Sequence, residues 1–102
     1  MARIIFSDLA DADANDIIRD LGRKAGVDVA ERYMADFDRL YRQLATFPES
    51  CARRPALGSV VRMGVVYPYV IFYEYSAAED VVTIMRLLHG RRRITRKMMR
   101  GG

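Results

Sequence analysis

Residues Tyr69–Arg93 read YVIFYEYSAAEDVVTIMRLLHGRRR. The stretch holds two runs, Tyr69–Tyr75 and Val81–Leu88, rich in the β-branched and aromatic side chains that fit a pleated, packed surface. Between them lies Ser76-Ala77-Ala78-Glu79-Asp80, too short for the crossover of a dozen or more residues that a parallel pair needs. The spacing therefore predicts an antiparallel hairpin. Beyond Leu88 the chain meets its only histidine, His89, then Gly90 and Arg91-Arg92-Arg93. An apolar hairpin thus delivers one imidazole and a cluster of guanidinium groups to one end of a sheet.

Upstream, Ala2–Phe6 is a short apolar run that reads as a strand. Ser7 or Asp8 is placed to cap a following helix, and Asp11, Asp13 and Asp16 suit the positive end of its dipole. Ala14, Ile17, Ile18, Leu21 and Ala25 recur at helical spacing, and Gly26 ends the helix. A second helix follows at once. Its start, Asp28-x-x-Glu31, resembles a capping box. Its stripe of Ala30, Tyr33, Met34, Phe37, Leu40, Tyr41 and Leu44 runs for four turns until Pro48. Aromatic residues at this spacing read as core before they read as a base-stacking surface. The short Gly26-Val27 connection makes the helices an antiparallel hairpin. Phe47–Ser59 reads as a loop, Val60–Val66 as a strand interrupted at Gly64, and Tyr67-Pro68 as a turn or bulge, because proline cannot donate to a ladder. The order is β-α-α-β-β-β. The fold class is α+β, a helical hairpin packed on a small, mainly antiparallel sheet, in a single domain over residues 1–102. The basic tail, residues 93–102, is expected to order as a short helix only against a partner.

The chain has 102 residues and a net charge of +4. The charge is unevenly spread. Residues 1–50 carry 7 basic and 10 acidic side chains, and residues 51–102 carry 10 basic and 3 acidic. Seven of the basic groups fall between Arg86 and Arg100 with no acid among them, which points to an anionic partner. No run approaches the ~20 apolar residues of a membrane span. The N-terminus has no apolar signal core, so a cytoplasmic location and no membrane partner are expected. The lone Cys51 makes no internal disulfide and reads as a bystander thiol. One histidine and one cysteine without ligand spacing exclude a zinc site. No Gly-x-Gly-x-x-Gly or P-loop is present to cradle a nucleotide, so no cofactor and no metal are expected. Metal-free RNA cleavage needs a base, an acid and cations on the phosphate. His89 is the candidate proton carrier, Arg62, Arg86, Arg91 and Arg92 are candidate phosphate ligands, and Glu74 or Tyr73 is a candidate second proton carrier. No spacing demands that role.

Three pieces, in order, resemble one family: Arg54-Pro55-Ala56-Leu57-Gly58, Tyr69-Val70-Ile71-Phe72-Tyr73, and Ile84-Met85-Arg86-Leu87-Leu88-His89-Gly90-Arg91-Arg92. They resemble the ParE branch of the RelE/ParE toxin superfamily, and the layout of the chain is similar throughout. The resemblance implies a toxin of a type II toxin–antitoxin system that arrests bacterial growth. By that resemblance its target is DNA gyrase and a cognate antitoxin silences it in a hetero-oligomer, the toxin working by binding with no chemistry of its own. Target-binding residues are then Arg86, His89, Arg91, Arg92 and Arg93. Antitoxin contacts are expected on the exposed side of the helices, at Tyr33 and Phe37, and at the sheet edge near Met85 and Arg86. The alternative is a RelE-like, ribosome-dependent mRNA endoribonuclease with Arg62, Arg86 and His89 at the scissile phosphate. The tyrosine form of that site is absent, because no tyrosine follows Tyr75. The chain departs from the ParE pattern at Arg93, where relatives often carry an acid, and at Tyr67-Pro68.

Overall fold

The computed structural model describes residues 1–101. Strand β1 (Arg3–Phe6) leads into helix α1 (Asp8–Ala25) and helix α2 (Val27–Thr46). A 3-10 turn (Pro55–Leu57), strands β2 (Arg62–Val66), β3 (Tyr69–Ser76) and β4 (Val81–His89), and a second 3-10 turn (Arg96–Arg100) follow. The strands form one sheet in the order β1-β4-β3-β2. The chain is α+β with a helical hairpin on a mixed sheet. The β2–β3 and β3–β4 pairs are antiparallel, and β1 runs parallel to β4.

Ser7 is the N-cap of α1. Its Oγ accepts the Ala10 N–H at 3.1 Å and donates to the Met85 carbonyl at 2.9 Å, so one hydroxyl fixes both the helix start and its place against β4. Asp8 and Asp11 occupy the first turn and Arg23 and Lys24 the last, each favourable to the helix dipole. A single residue joins the helices. Gly26, at φ 100°, closes α1 through its N–H to the Leu21 carbonyl and accepts the Ala30 N–H of α2. The capping box expected at Asp28 and Glu31 is not formed: α2 begins at Val27, with no side-chain cap. The glycine starts the second helix before Asp28, which sits in the first turn and serves the dipole alone.

The sheet is covered on both faces. Toward the helices, Ile71, Tyr73, Val82, Ile84 and Leu87 pack with Phe37, Leu40 and Leu44 of α2 and Ala10 of α1. Gly64 lies within β2 and does not interrupt it. A Cβ there would come within 3.1 Å of Leu40, so the glycine is where α2 approaches the sheet backbone. On the other face, Phe72, Met85 and Leu88 meet Leu57, Val61 and Met99 from the loop and the tail. The tail therefore orders on its own sheet: Met99 is buried, contrary to the expectation of order only against a partner. The short run from Ile94 to Met98 is enough to fold it back across β4. Tyr67-Pro68 forms the tight turn between β2 and β3, whose terminal residues Val66 and Tyr69 pair. The bulge lies elsewhere. Phe72 faces Arg86 and Tyr73 faces Ile84, leaving Met85 as the extra residue of β4.

Candidate functional site

The bulge decides where Arg86 goes. Simple alternation would carry residue 86 to the same face as Ile84 and bury it against the helices. The extra residue places it opposite Phe72, on the face away from them. Beyond Ile84, β4 has no β1 partner, and α1 covers the vacant edge. Asp13 accepts Arg86 Nε at 2.7 Å, Arg86 Nη2 at 3.0 Å and the Leu87 N–H at 3.1 Å. The remaining guanidinium nitrogen donates to the Met98 carbonyl at 2.8 Å. The Asp13 carboxylate holds the guanidinium above its ordinary value, so Arg86 stays charged. Arg86 is 9% exposed and Met85 4%. Both lie beneath other segments, on the part of β4 whose free edge α1 covers. Arg86 clamps helix, sheet and tail together.

The cationic end of β4 is different. His89, Arg91, Arg92 and Arg93 are all exposed. His89 Nδ1 accepts the Arg91 N–H at 3.1 Å, its carbonyl accepts the Arg92 N–H at 3.0 Å, and its ring stands edge-on to Tyr69 at 5.7 Å. The Gly90 N–H donates to the Pro68 carbonyl at 2.8 Å. A Cβ at Gly90 would come within 3.1 Å of that oxygen, so the close approach favours glycine. These bonds hold the arginine run off the sheet end. Burial lifts the Tyr69 phenol above its usual range and keeps it neutral against the imidazole. A cleft of about 340 Å³ separates α1 from this end, with Ile17, Leu21, Asp16, Asp20, His89 and Arg92 among its walls. Arg23 lowers the Asp20 carboxyl through their hydrogen bond.

Arg62 takes no part in this end. Its guanidinium donates to the backbone carbonyls of Glu49 and Cys51 at 3.1 and 2.7 Å and pins the loop after α2. Arg62 pairs with Tyr73, and His89 with Tyr69. At about 3.3 Å per residue those positions lie ~13 Å apart along β3. The structure therefore does not bring Arg62, Arg86 and His89 to one phosphate: the first clasps a loop, the second is buried by Asp13, and the third shapes a turn. Tyr73 donates to the Pro48 carbonyl at 2.9 Å, and Glu74 lies 3.3 Å from Arg100. Among the described residues no group of three or more His, Cys, Asp or Glu side chains is placed to hold a metal ion, and no helix is long and apolar enough to cross a membrane.

The helical hairpin offers the other notable surface. Phe37 is buried and Tyr33 half-buried, each in aromatic contact with Tyr69 at 5.8 and 5.6 Å. Their first role is to seat α2 on the sheet. The outer side of the hairpin is less complete. In α1 only Ala10 is fully buried, so the stripe of Ala14, Ile17, Ile18 and Leu21 is half covered. Met34 is 48% exposed. Ala14, Ile18, Met34, Phe37 and Tyr41 line a groove of about 530 Å³ between the helices. The periodicity that built the stripes signalled these residues, but not which side of α1 would lack cover.

This arrangement has known counterparts. The family model described as "ParE toxin of type II toxin-antitoxin system, parDE" matches residues 4–94. The chain belongs to the ParE toxin family. Its fold is similar to a chain from a solved structure described as the chromosomal ParDE TA system from P. aeruginosa. The TM-score is 0.71 at 19% identity, over 87% of this chain and 96% of that one. No curated protein matches the chain significantly. The match ends at Ile94, so this ParE toxin carries its second 3-10 turn, with Met98 and Met99, beyond the matched segment.

Proposed function

We propose that this ParE toxin arrests growth by binding DNA gyrase in the cytoplasm, and that a cognate antitoxin silences it by laying an amphipathic segment along the helical hairpin. The observation that carries the antitoxin half is the incomplete cover of α1. An apolar groove between two well-formed helices, with Met34 at its rim, suits an amphipathic segment that folds as it docks. Ile17 and Leu21, on the neighbouring side of α1, share a cleft with Arg92. An acidic continuation of the same segment would there meet the cationic turn and be steered to it.

The target half rests on His89, Arg91, Arg92 and Arg93. They are exposed, and the His89 imidazole accepts the Arg91 N–H instead of meeting a second proton-carrying side chain. That favours recognition of a surface over catalysis. The test is a supercoiling and cleavage-complex assay with purified gyrase, run beside codon-position cleavage of ribosome-bound mRNA. Gyrase inhibition that drops at least tenfold in an Arg91→Ala/Arg92→Ala/Arg93→Ala variant is expected. Cleaved mRNA with gyrase untouched would replace this reading with the ribosomal one.

A further inference from the structure

The half of the molecule away from the helices carries a charge pattern that the gyrase reading leaves unused. From Ser50 to Tyr73 and from Val81 onward the sequence has no acid. The fold stacks these two segments as one layer: Leu57 and Val61 from the first meet Met99, Ile94 and Met98 from the second. Between them runs a groove of about 550 Å³. Val60, Met85 and Met99 are among its apolar walls and Arg96, Lys97 and Arg100 its cations. Those three side chains are exposed, as is Arg54, whose guanidinium donates to Met63 on the same face. Among the described residues Glu74 is the only carboxylate in the groove wall, 3.3 Å from Arg100. A pair this open to solvent contributes little to stability, so it does not commit Arg100 to Glu74. Arg86 lies beneath, already neutralised by Asp13, so the free charge of the layer belongs to its surface.

We infer that this basic face binds the phosphate backbone of duplex DNA, without regard to sequence. The inference rests on the gyrase reading only for the source of the DNA, the duplex that the target holds. Three features select the ligand class. The cations are mostly arginines, whose planar fork pairs with phosphate oxygens. They come from two segments, the loop at Arg54 and the tail at Arg96–Arg100, as suits a rod of phosphates. Among the described residues no aromatic side chain lines the groove, so single-strand stacking has no platform. The surface also faces away from the helical groove offered to the antitoxin.

The test is fluorescence anisotropy of the purified toxin with a labelled 20-base-pair duplex of arbitrary sequence, across a salt series, with a single strand and polyglutamate as competitors. Duplex binding should weaken steeply with salt. An Arg96→Gln/Lys97→Gln/Arg100→Gln variant should bind at least tenfold more weakly, with the log–log salt slope smaller by ~2.7, about 0.9 for each phosphate left without its cation. An Arg32→Gln/Arg39→Gln/Arg42→Gln control on the exposed side of α2 should bind like the parent. If the triple variant unfolds, Arg96→Lys/Arg100→Lys, which keeps the charge, should retain duplex binding. No duplex binding, equal loss in the α2 control, or full competition by polyglutamate overturns the inference. Binding is read without gyrase. Its absence would leave gyrase inhibition standing, and duplex binding without gyrase inhibition would sink only the gyrase reading.

Discussion

At the scale of single residues, the Asp13–Arg86 pair is the most consequential contact. Two charges, 13% and 10% exposed, are compensated by three hydrogen bonds to the carboxylate and a fourth to Met98. Removing either partner leaves the other buried and unpaired, a loss of about 3–5 kcal/mol. Urea unfolding of Arg86→Ala and Asp13→Ala should show losses of this size, and the double variant should lose less than their sum. A second prediction concerns two phenols. Burial raises Tyr41 and Tyr73 well above the ordinary value near 10. Between the unfolded and folded values the folded state holds protons that the unfolded state releases, so stability falls as pH rises. The contribution is whole below pH ~10 and is lost progressively above it. A Tyr41→Phe variant should show a shallower alkaline decline in melting temperature than the parent, since its side chain has no proton to lose.

At the scale of elements, what could be read from the chain was whatever is written locally. Alternating and helical periodicity gave both helices, three of the strands nearly to their ends and the antiparallel hairpin. Ser7 and Gly26 are signalled by residue type and position. What was not legible was pairing at a distance. Asp13 is one of several aspartates in the first turns of α1, and nothing local distinguishes it as the partner of a residue 73 positions away. The Met85 bulge leaves no composition mark, so Arg86 read as one more surface cation. The tail reads as ordering only against a partner because its methionines are scattered among charges, yet Met99 is only 4% exposed. That burial predicts that Met99→Ala, through a cavity against Phe72, Met85 and Leu88, costs about 2–4 kcal/mol. Calorimetry checks it, and increased binding of a hydrophobic dye should accompany the loss as the second face of the sheet is uncovered. A tail that contributed nothing to the fold would leave the melting temperature unchanged.

At the scale of the whole molecule, the two halves of the sequence become two layers of opposite character. The helices carry most of the carboxylates and an apolar groove, and the far layer carries the groove lined by Arg96, Lys97 and Arg100. A partner that needs both must span the molecule, and the two contacts then act on different rate constants. Apolar anchors buried in a groove govern escape, while exposed charges govern encounter. Ile18→Asp and Met34→Asp place a carboxylate in the hairpin groove at half-buried and exposed positions, with the melting temperature of each free variant measured beside its binding. Antitoxin dissociation from these variants should quicken by at least tenfold, and co-expressed antitoxin should no longer restore growth. Neutralising Arg91, Arg92 and Arg93 should instead slow association several-fold at low salt, with a difference that shrinks as ionic strength rises past the ~10 Å Debye length of 0.1 M salt. Surface-plasmon measurements on both sets separate the two constants. If the groove variants release antitoxin no faster than the parent, the hairpin is not the docking surface and the half-covered stripe of α1 needs another occupant.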